Sequence, residues 1–162
     1  MKKSTQPVPE GFHTVTPSLI VRNGAQAIEF YKKALGAEEI MRMAGPDGKI
    51  GHAELKIGDS IIFLTDENPA MHCMSPQTLG GVASSLYLYV ADVDTAFQRA
   101  IDAGGKATMP VTDMFWGDRF GNFVDPYGHN WGLSTHTRDM TEQEIEEGAK
   151  AFHAQMAQKK TA

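Results

Sequence analysis

The chain repeats itself in pattern. A strand-like stretch ending at Val21, a helical stretch and Leu35-Gly36-Ala37 come first; a strand-like stretch ending at Val90, a second helical stretch and Ala103-Gly104-Gly105 follow. A shift of 69 residues, Val21 to Val90, also lays Asn23 on Asp92, Ala27-Ile28 on Ala96-Phe97 and Gly36 on Gly105. Few of the superposed residues are identical, so what recurs is the apolar pattern. Chains built this way usually make a cupped sheet from two copies of one unit with a small-molecule pocket inside, closed either within one chain or across two.

The periodicities within each copy name its elements. Thr14, Thr16 and Ser18 alternate with Val15, Leu19 and Val21, which predicts a half-buried strand over 14–21. Asn23 stands where a helix N-cap would, Ala27, Ile28, Tyr31 and Leu35 follow at helical spacing, and Gly36 closes the helix. Three strands are expected at 37–44, 49–57 and 60–65, divided by Gly45-Pro46-Asp47-Gly48 and Gly58-Asp59. In the second copy Ser85, Tyr87 and Tyr89 alternate with Leu86, Leu88 and Val90. Asp92 caps a helix with an apolar stripe of Val93, Ala96, Phe97, Ala100 and Ile101. Strands follow at 106–114, 118–125 and 130–136, the last turn being Pro126-Tyr127-Gly128. Each half reads β-α-β-β-β. The expected organisation is an extension (1–12), a first module (13–65), a linker (66–83), a second module (84–136) and a C-terminal helical extension (137–162). The linker is long enough to be either a tether or a lid. In the extension, Thr141 and Glu144 form a capping-box signature, acidic residues crowd the first turns, and Lys159-Lys160 suit the other end of the helix dipole.

Composition excludes several classes of function. The net charge is −5 and no basic run exceeds two residues, so no phosphate-neutralising face is expected and nucleic acid is not a partner. Cys73 is the single cysteine, which rules out an intrachain disulfide and a zinc–thiolate cluster. No apolar stretch is long enough to span a bilayer, and Met1 to Pro7 leads into no apolar segment of the kind a signal peptide needs. These readings predict a soluble cytoplasmic protein.

Leu35-Gly36-Ala37, the paired modules, Phe115-Trp116-Gly117-Asp118-Arg119-Phe120-Gly121 and Asp125-Pro126-Tyr127-Gly128-His129-Asn130-Trp131 together resemble the vicinal oxygen chelate superfamily, in its PhnB-like, glyoxalase/bleomycin-resistance-like branch. The resemblance covers residues 13–136. It implies an α+β fold in which paired βαβββ modules form a cupped mixed sheet, and it implies a homodimer. Enzymes of that superfamily hold a divalent metal at four matched strand positions. Carried over by resemblance, those positions are Thr16, Phe63 (Ile62 if the register slips by one), Ser85 and Gly132. None supplies the imidazole or carboxylate that a divalent cation requires. Gly132 is the sharpest departure, because the family's final-strand glutamate belongs there.

The residues facing away from the helices form the candidate pocket. His52 and Glu54 lie two apart on one strand and share a face, with Leu55 and Ile57 on the other. The pair is open to three readings: part of a relocated metal site, a base with its orienting acid, or a polar pair in a wet cavity wall. Thr16, Phe63, Ser85, Tyr87, Tyr89, Trp116, Asp118, Phe120 and Gly132 complete the wall, and Arg119 or Asp118 could meet a charge on a ligand. Such a hydroxyl- and aromatic-rich wall suits a flat organic molecule. His129 and His136 are read as a turn residue and a strand-end polar group. The function expected is binding of a small molecule without the standard metal site, the resemblance implying sequestration of an antibiotic-like or aromatic compound, and no cofactor is expected. The alternative is a lyase, isomerase or dioxygenase using zinc, nickel, iron or manganese at a site including His52 and Glu54. A third class is a partner-binding protein that uses the dimer surface and the terminal helix.

Overall fold

In each half the alternation of the strands becomes a four-stranded mixed sheet with its helix on one face. The computed structural model describes residues 6–159. The amino terminus read for a signal peptide lies partly outside them, as does Lys160. The first module contains β1 (Ser18–Val21), α1 (Gly24–Leu35), β2 (Glu38–Ala44), β3 (Ile50–Ile57) and β4 (Ser60–Asp66), with strand order β1-β4-β3-β2. The second contains β5 (Ser85–Tyr89), α3 (Val93–Asp102), β6 (Lys106–Asp113), β7 (Asp118–Val124) and β8 (Asn130–His136), in the order β5-β8-β7-β6. The two orders are the same permutation. In each, the first strand pairs in parallel with the last because a helix carries the chain across, while the other strands are joined by tight turns and run antiparallel.

The helices bury the stripes their spacing predicts. Ala27, Ile28, Tyr31 and Ala34 of α1 are fully buried, as are Val93 and Ala100 of α3 with Ala96 and Phe97 nearly so. They pack on Leu19, Val21, Leu55 and Leu64 in one sheet and on Phe123, Trp131 and Leu133 in the other. Each large apolar side chain so enclosed contributes on the order of 1.5–3 kcal/mol relative to exposure. The helices also pack on each other, and Arg99 of α3 donates from Nε to the Ala34 carbonyl at 3.1 Å, satisfying an end of α1 that has no helical partner. One core therefore serves both modules.

Several local expectations are corrected. The first strand begins at Ser18 rather than residue 14, and Val15 is 78% exposed. Pro17 joins the sheet only through its carbonyl, which accepts from Phe63 N at 2.8 Å. Asn23 does not cap α1: it takes a left-handed conformation (φ 60°) and its side chain makes no cap bond. The cap comes from across the sheet, where Asp66 accepts from Gly24 N at 2.9 Å and from Ile50 N at 2.7 Å. Asp92 does cap α3, accepting from Thr95 N at 3.1 Å, and Gly36 does close α1 in a left-handed conformation (φ 67°).

The linker contains a 3-10 turn (Pro69–Met71) and a single-turn helix, α2 (Pro76–Leu79). It is braced at both ends. Glu67 accepts from Arg22 Nε at 2.9 Å, from Ser75 Oγ at 2.7 Å and from the Thr78 hydroxyl, while Gln77 donates to the Pro126 carbonyl at 3.0 Å. The terminal helix α4 (Glu142–Lys159) begins with the expected capping box: Thr141 N donates to Glu144 Oε2 at 2.8 Å and Glu144 N donates to Thr141 Oγ1 at 3.3 Å. It meets the second module where Gly148 lies against Phe115, so close that an added Cβ would come within 2.6 Å of Phe115 Cβ. Phe152 adds a ring contact to Phe115 at 5.7 Å. Among the described residues, no helix is long and apolar enough to cross a membrane.

Candidate functional site

The face of the second sheet turned away from α3 gathers most of the expected pocket residues. Strand pairing sets Tyr87 opposite Gly132, Tyr89 opposite Ser134, Ser134 opposite Phe120, and His136 opposite Asp118. Residues in such register share a face, so these side chains form one patch. Tyr87 stacks on Phe120 with ring centres 5.1 Å apart and planes only 9° from parallel. Tyr89 lies against Tyr87 at 5.3 Å, Trp116 against Phe120 at 6.1 Å, and Phe115 continues the row to Trp116 at 5.0 Å. Tyr87 and Tyr89 are 43% and 67% exposed, so this aromatic shelf is open in the single chain.

Gly132 explains how the rings fit. A Cβ there would lie 2.8 Å from the Phe120 ring, 3.0 Å from the Tyr87 ring and 3.1 Å from Asn122 Oδ1. The space beside Gly132 is thus filled by two aromatic side chains, and no larger residue can stand there without displacing them.

Beneath the shelf lies Asp118, only 2% exposed. Its Oδ2 accepts from Ser134 Oγ at 3.1 Å, Tyr89 OH at 3.2 Å and Tyr87 OH at 3.4 Å; its Oδ1 meets His136 Nδ1 at 2.7 Å. Burial works against the charge of Asp118, but the bonds from His136, Ser134, Tyr89 and Trp116 outweigh it and hold the carboxyl below its ordinary range. His136 Nε2 reaches Asp139 at 3.0 Å. His136 is therefore no mere strand-end group. A turn centred on Tyr127 pairs residues equidistant from it, so the Asp118–His136 meeting could have been read from the hairpin in the sequence.

Arg119 is placed elsewhere. Its side chain lies on the helix side, donating to Asp94 of α3 at 2.7 and 2.8 Å and to Asp113 at 3.0 Å, and these bonds raise its already high pKa. It cannot meet a ligand on the shelf. Ser85 is exposed at the far end of the patch, opposite Asn130.

The matching face of the first sheet carries His52, Glu54 and Phe63. His52 Nε2 and Glu54 Oε1 are 3.4 Å apart, and the imidazole packs edge-on to Phe63 at 4.8 Å. Met41 and Met43 stand opposite them on β2. A cavity of about 450 Å³ opens here, lined by Ser18, His52, Phe63, Thr65 and the linker residues Met71 and Cys73. Thr16 lies off the sheet, its hydroxyl 3.4 Å from the His13 carbonyl. Thr16, Phe63, Ser85 and Gly132 do not fit a divalent cation, having no imidazole or carboxylate among them. Among the described residues no three His, Cys, Asp or Glu side chains converge as a metal would require, and His52 with Glu54 makes only two donors.

Comparison with known proteins adds a frame to this geometry. The family model of the Glyoxalase/Bleomycin resistance protein/Dioxygenase superfamily matches residues 11–133. The uncharacterized protein Rv0887c of Mycobacterium tuberculosis is 42% identical over 135 residues, spanning 82% of this chain and 79% of that one. Among solved structures, TioX from Micromonospora sp. ML1 superposes with a TM-score of 0.61 at 26% identity, covering 76% of this chain and 98% of TioX. The PhnB protein of Bacillus cereus superposes with a TM-score of 0.59 at 21% identity, covering 76% and 99%.

Proposed function

Because the chain belongs to the Glyoxalase/Bleomycin resistance protein/Dioxygenase superfamily, we propose that it uses this fold to bind a flat, partly apolar organic molecule on the aromatic shelf, without the superfamily's standard metal. The observation that carries this reading is the Tyr87–Phe120 stack occupying the space above Gly132. Tyr87, backed by the buried Phe120 ring, and Tyr89 are exposed and offer stacking to a planar ligand, and the hydroxyls of Tyr87 and Tyr89 on Asp118 hold the rings in place. An antibiotic-like or aromatic compound is the class that such a surface suits. The exposure of Tyr87 and Tyr89 also supports a homodimer in which a second copy faces the shelf across the bound ligand. The net charge of −5 and the absence of a basic run support a partner that is neither nucleic acid nor an anionic membrane.

The test is ligand-dependent thermal stabilisation across a panel of planar aromatic compounds, measured in parallel with chelator and with added metal ion. Stabilisation that survives chelator and is lost in Tyr87→Ala supports the reading. Stabilisation that requires added zinc, nickel, iron or manganese and disappears in His52→Ala supports a metal-dependent enzyme instead. No stabilisation by any compound in either condition counts against both.

A further inference from the structure

We propose that Asp118 and His136 form a proton-transfer dyad at the edge of the aromatic shelf, in which His136 Nε2 exchanges a proton with a flat aromatic carbon acid lying on the rings. The inference rests on the shelf being a binding surface and adds a chemical step to it. Asp118 acts through the imidazole and is a positioning residue; His136 is the group that would touch the ligand.

The geometry has the parts such a step needs. An antiparallel pairing sets Asp118 directly opposite His136, so the two side chains emerge on one face and meet at 2.7 Å. A carboxylate can only accept, so Nδ1 carries the hydrogen and the ring orientation is set. That leaves Nε2 as the proton-exchanging atom, the arrangement by which a buried carboxylate orients a histidine base. Asp118 is itself anchored by Tyr87, Tyr89 and Ser134, so the same carboxylate that aims the imidazole also holds the rings of the shelf. Among the described residues, the group on Nε2 is the fully exposed carboxylate of Asp139, 3.0 Å away. His136 is half exposed, so a ligand can reach it.

The charged and titratable groups around the imidazole are Asp118 from β7, Asp139 from the segment after β8, and, through Asp118, the phenols of Tyr87 and Tyr89 from β5. With carboxylates at both ring nitrogens, the observed bonding is that of an imidazolium, and Asp139 first and Asp118 second raise its pKa above the ordinary value. Loss of the Nε2 proton removes the Asp139 bond and opens the lone pair. The neutral ring, populated as pH rises through that raised pKa, is the base; the imidazolium then gives the proton to water, which restores the base for the next turnover.

The probe is 5-nitrobenzisoxazole, a planar carbon acid. His136 Nε2 takes the C3 proton, the C–H electrons form the third bond of the nitrile, and the N–O bond breaks to leave 2-cyano-4-nitrophenolate, followed by its absorbance. Binding is measured separately from Trp116 fluorescence, with the unreactive 5-nitrobenzotriazole as titrant. The wild-type protein should bind the titrant and turn over the probe, with kcat rising with pH to a plateau. His136→Gln should still bind but lose turnover by about a hundredfold, within the usual contribution of a general base. Asp118→Asn should move the midpoint of the pH profile down, a change that a purely structural role would not cause. Should Asp118→Asn fail to fold, Asp139→Asn supplies the same downward shift from the exposed side. Binding of the titrant with turnover no faster than in His136→Gln would overturn the dyad and leave the shelf standing. No binding of the titrant would overturn both.

Discussion

Tyr31 donates its phenolic hydrogen to Asp125 Oδ2 at 2.6 Å, joining the helix of the first module to the last turn of the second across the buried core. Asp125 also accepts from Trp131 Nε1 at 2.9 Å, from Tyr127 N at 2.8 Å and from His129 N at 2.9 Å. The Asp-Pro-Tyr-Gly-His-Asn-Trp segment is thus organised by one buried carboxylate. His129 extends the link by donating from Nε2 to the Ile20 carbonyl of β1 at 3.0 Å. Burial first, and the adjacent Asp125 second, push the Tyr31 phenol well above its ordinary pKa, so it remains a donor throughout the working range.

Tyr31→Phe keeps the ring and removes one of the bonds between the modules, leaving those of Arg99 and His129 in place. It should cost about 2 kcal/mol, the range for a hydrogen bond to a charged acceptor. Asp125→Ala should cost more, since it strands the Tyr31 hydroxyl, the Trp131 indole and two backbone N–H groups together. Urea denaturation of the three proteins checks the order; equal midpoints for wild type and Tyr31→Phe would show that the bond adds nothing.

Gly132→Ala forces a methyl group into the Tyr87–Phe120 stack. A loss of roughly 1–3 kcal/mol is expected, as for other over-packed sites. Phe120→Leu in the same chain should recover part of that loss by opening space, giving a favourable coupling in a double-mutant cycle. Strict additivity of the two substitutions would show that the stack does not impose the glycine.

Asp66→Ala removes the acceptor at the start of α1 and at Ile50. The expected cost is about 1–2 kcal/mol, comparable to loss of a helix cap. Asn23→Gly should change stability by less than about 0.5 kcal/mol, because Asn23 makes no cap bond and glycine accepts its left-handed backbone. Thermal unfolding of the pair distinguishes a cap supplied by the sheet from one supplied by the neighbouring residue.

Glu67 has its pKa lowered to about 2 by hydrogen bonds from Thr78 and then Ser75, with Arg22 adding to them. A carboxylate depressed on folding contributes stability that is present above its unfolded pKa, about 4.3, and is lost as pH falls through the folded value. The difference in stability between wild type and Glu67→Gln should therefore be constant above about pH 5 and shrink toward pH 2. Acid titration of both proteins at fixed denaturant reads this directly, and a difference unchanged down to pH 2 would contradict it.

Much of the fold was legible because the signals are local. The stripe Val93, Ala96, Phe97 and Ala100 states a helix face whatever it packs on, and Asp92 and Thr141 cap helices within three residues of themselves. The faces of His52 and Glu54 against Leu55 and Ile57 followed from strand alternation and hold in the structure. Alternation was extended too far at residues 14–17, where Pro17 offers no N–H to a sheet. Asn23 was misread because cap preference speaks of the residue beside the helix, while the bond came from Asp66. Arg119 was placed on the shelf by its nearness to Asp118 in sequence, yet adjacent strand residues face opposite sides. His136 was undervalued because its partner lies across a hairpin.

The sequence by itself determined the repeated β-α-β-β-β order and the helix-facing and open faces of most strands. These follow from periodicity and residue type, which do not depend on what lies opposite. Only the tertiary structure decided which side chains meet beyond the β7–β8 hairpin: Tyr31 with Asp125, Arg99 with Ala34, Asp118 with the tyrosines, and the two rings that close over Gly132. Such meetings depend on register between strands and on how two helices share one core. Those are set by the packing of the whole chain, where a shift of one residue would turn every side chain of a strand to the other face.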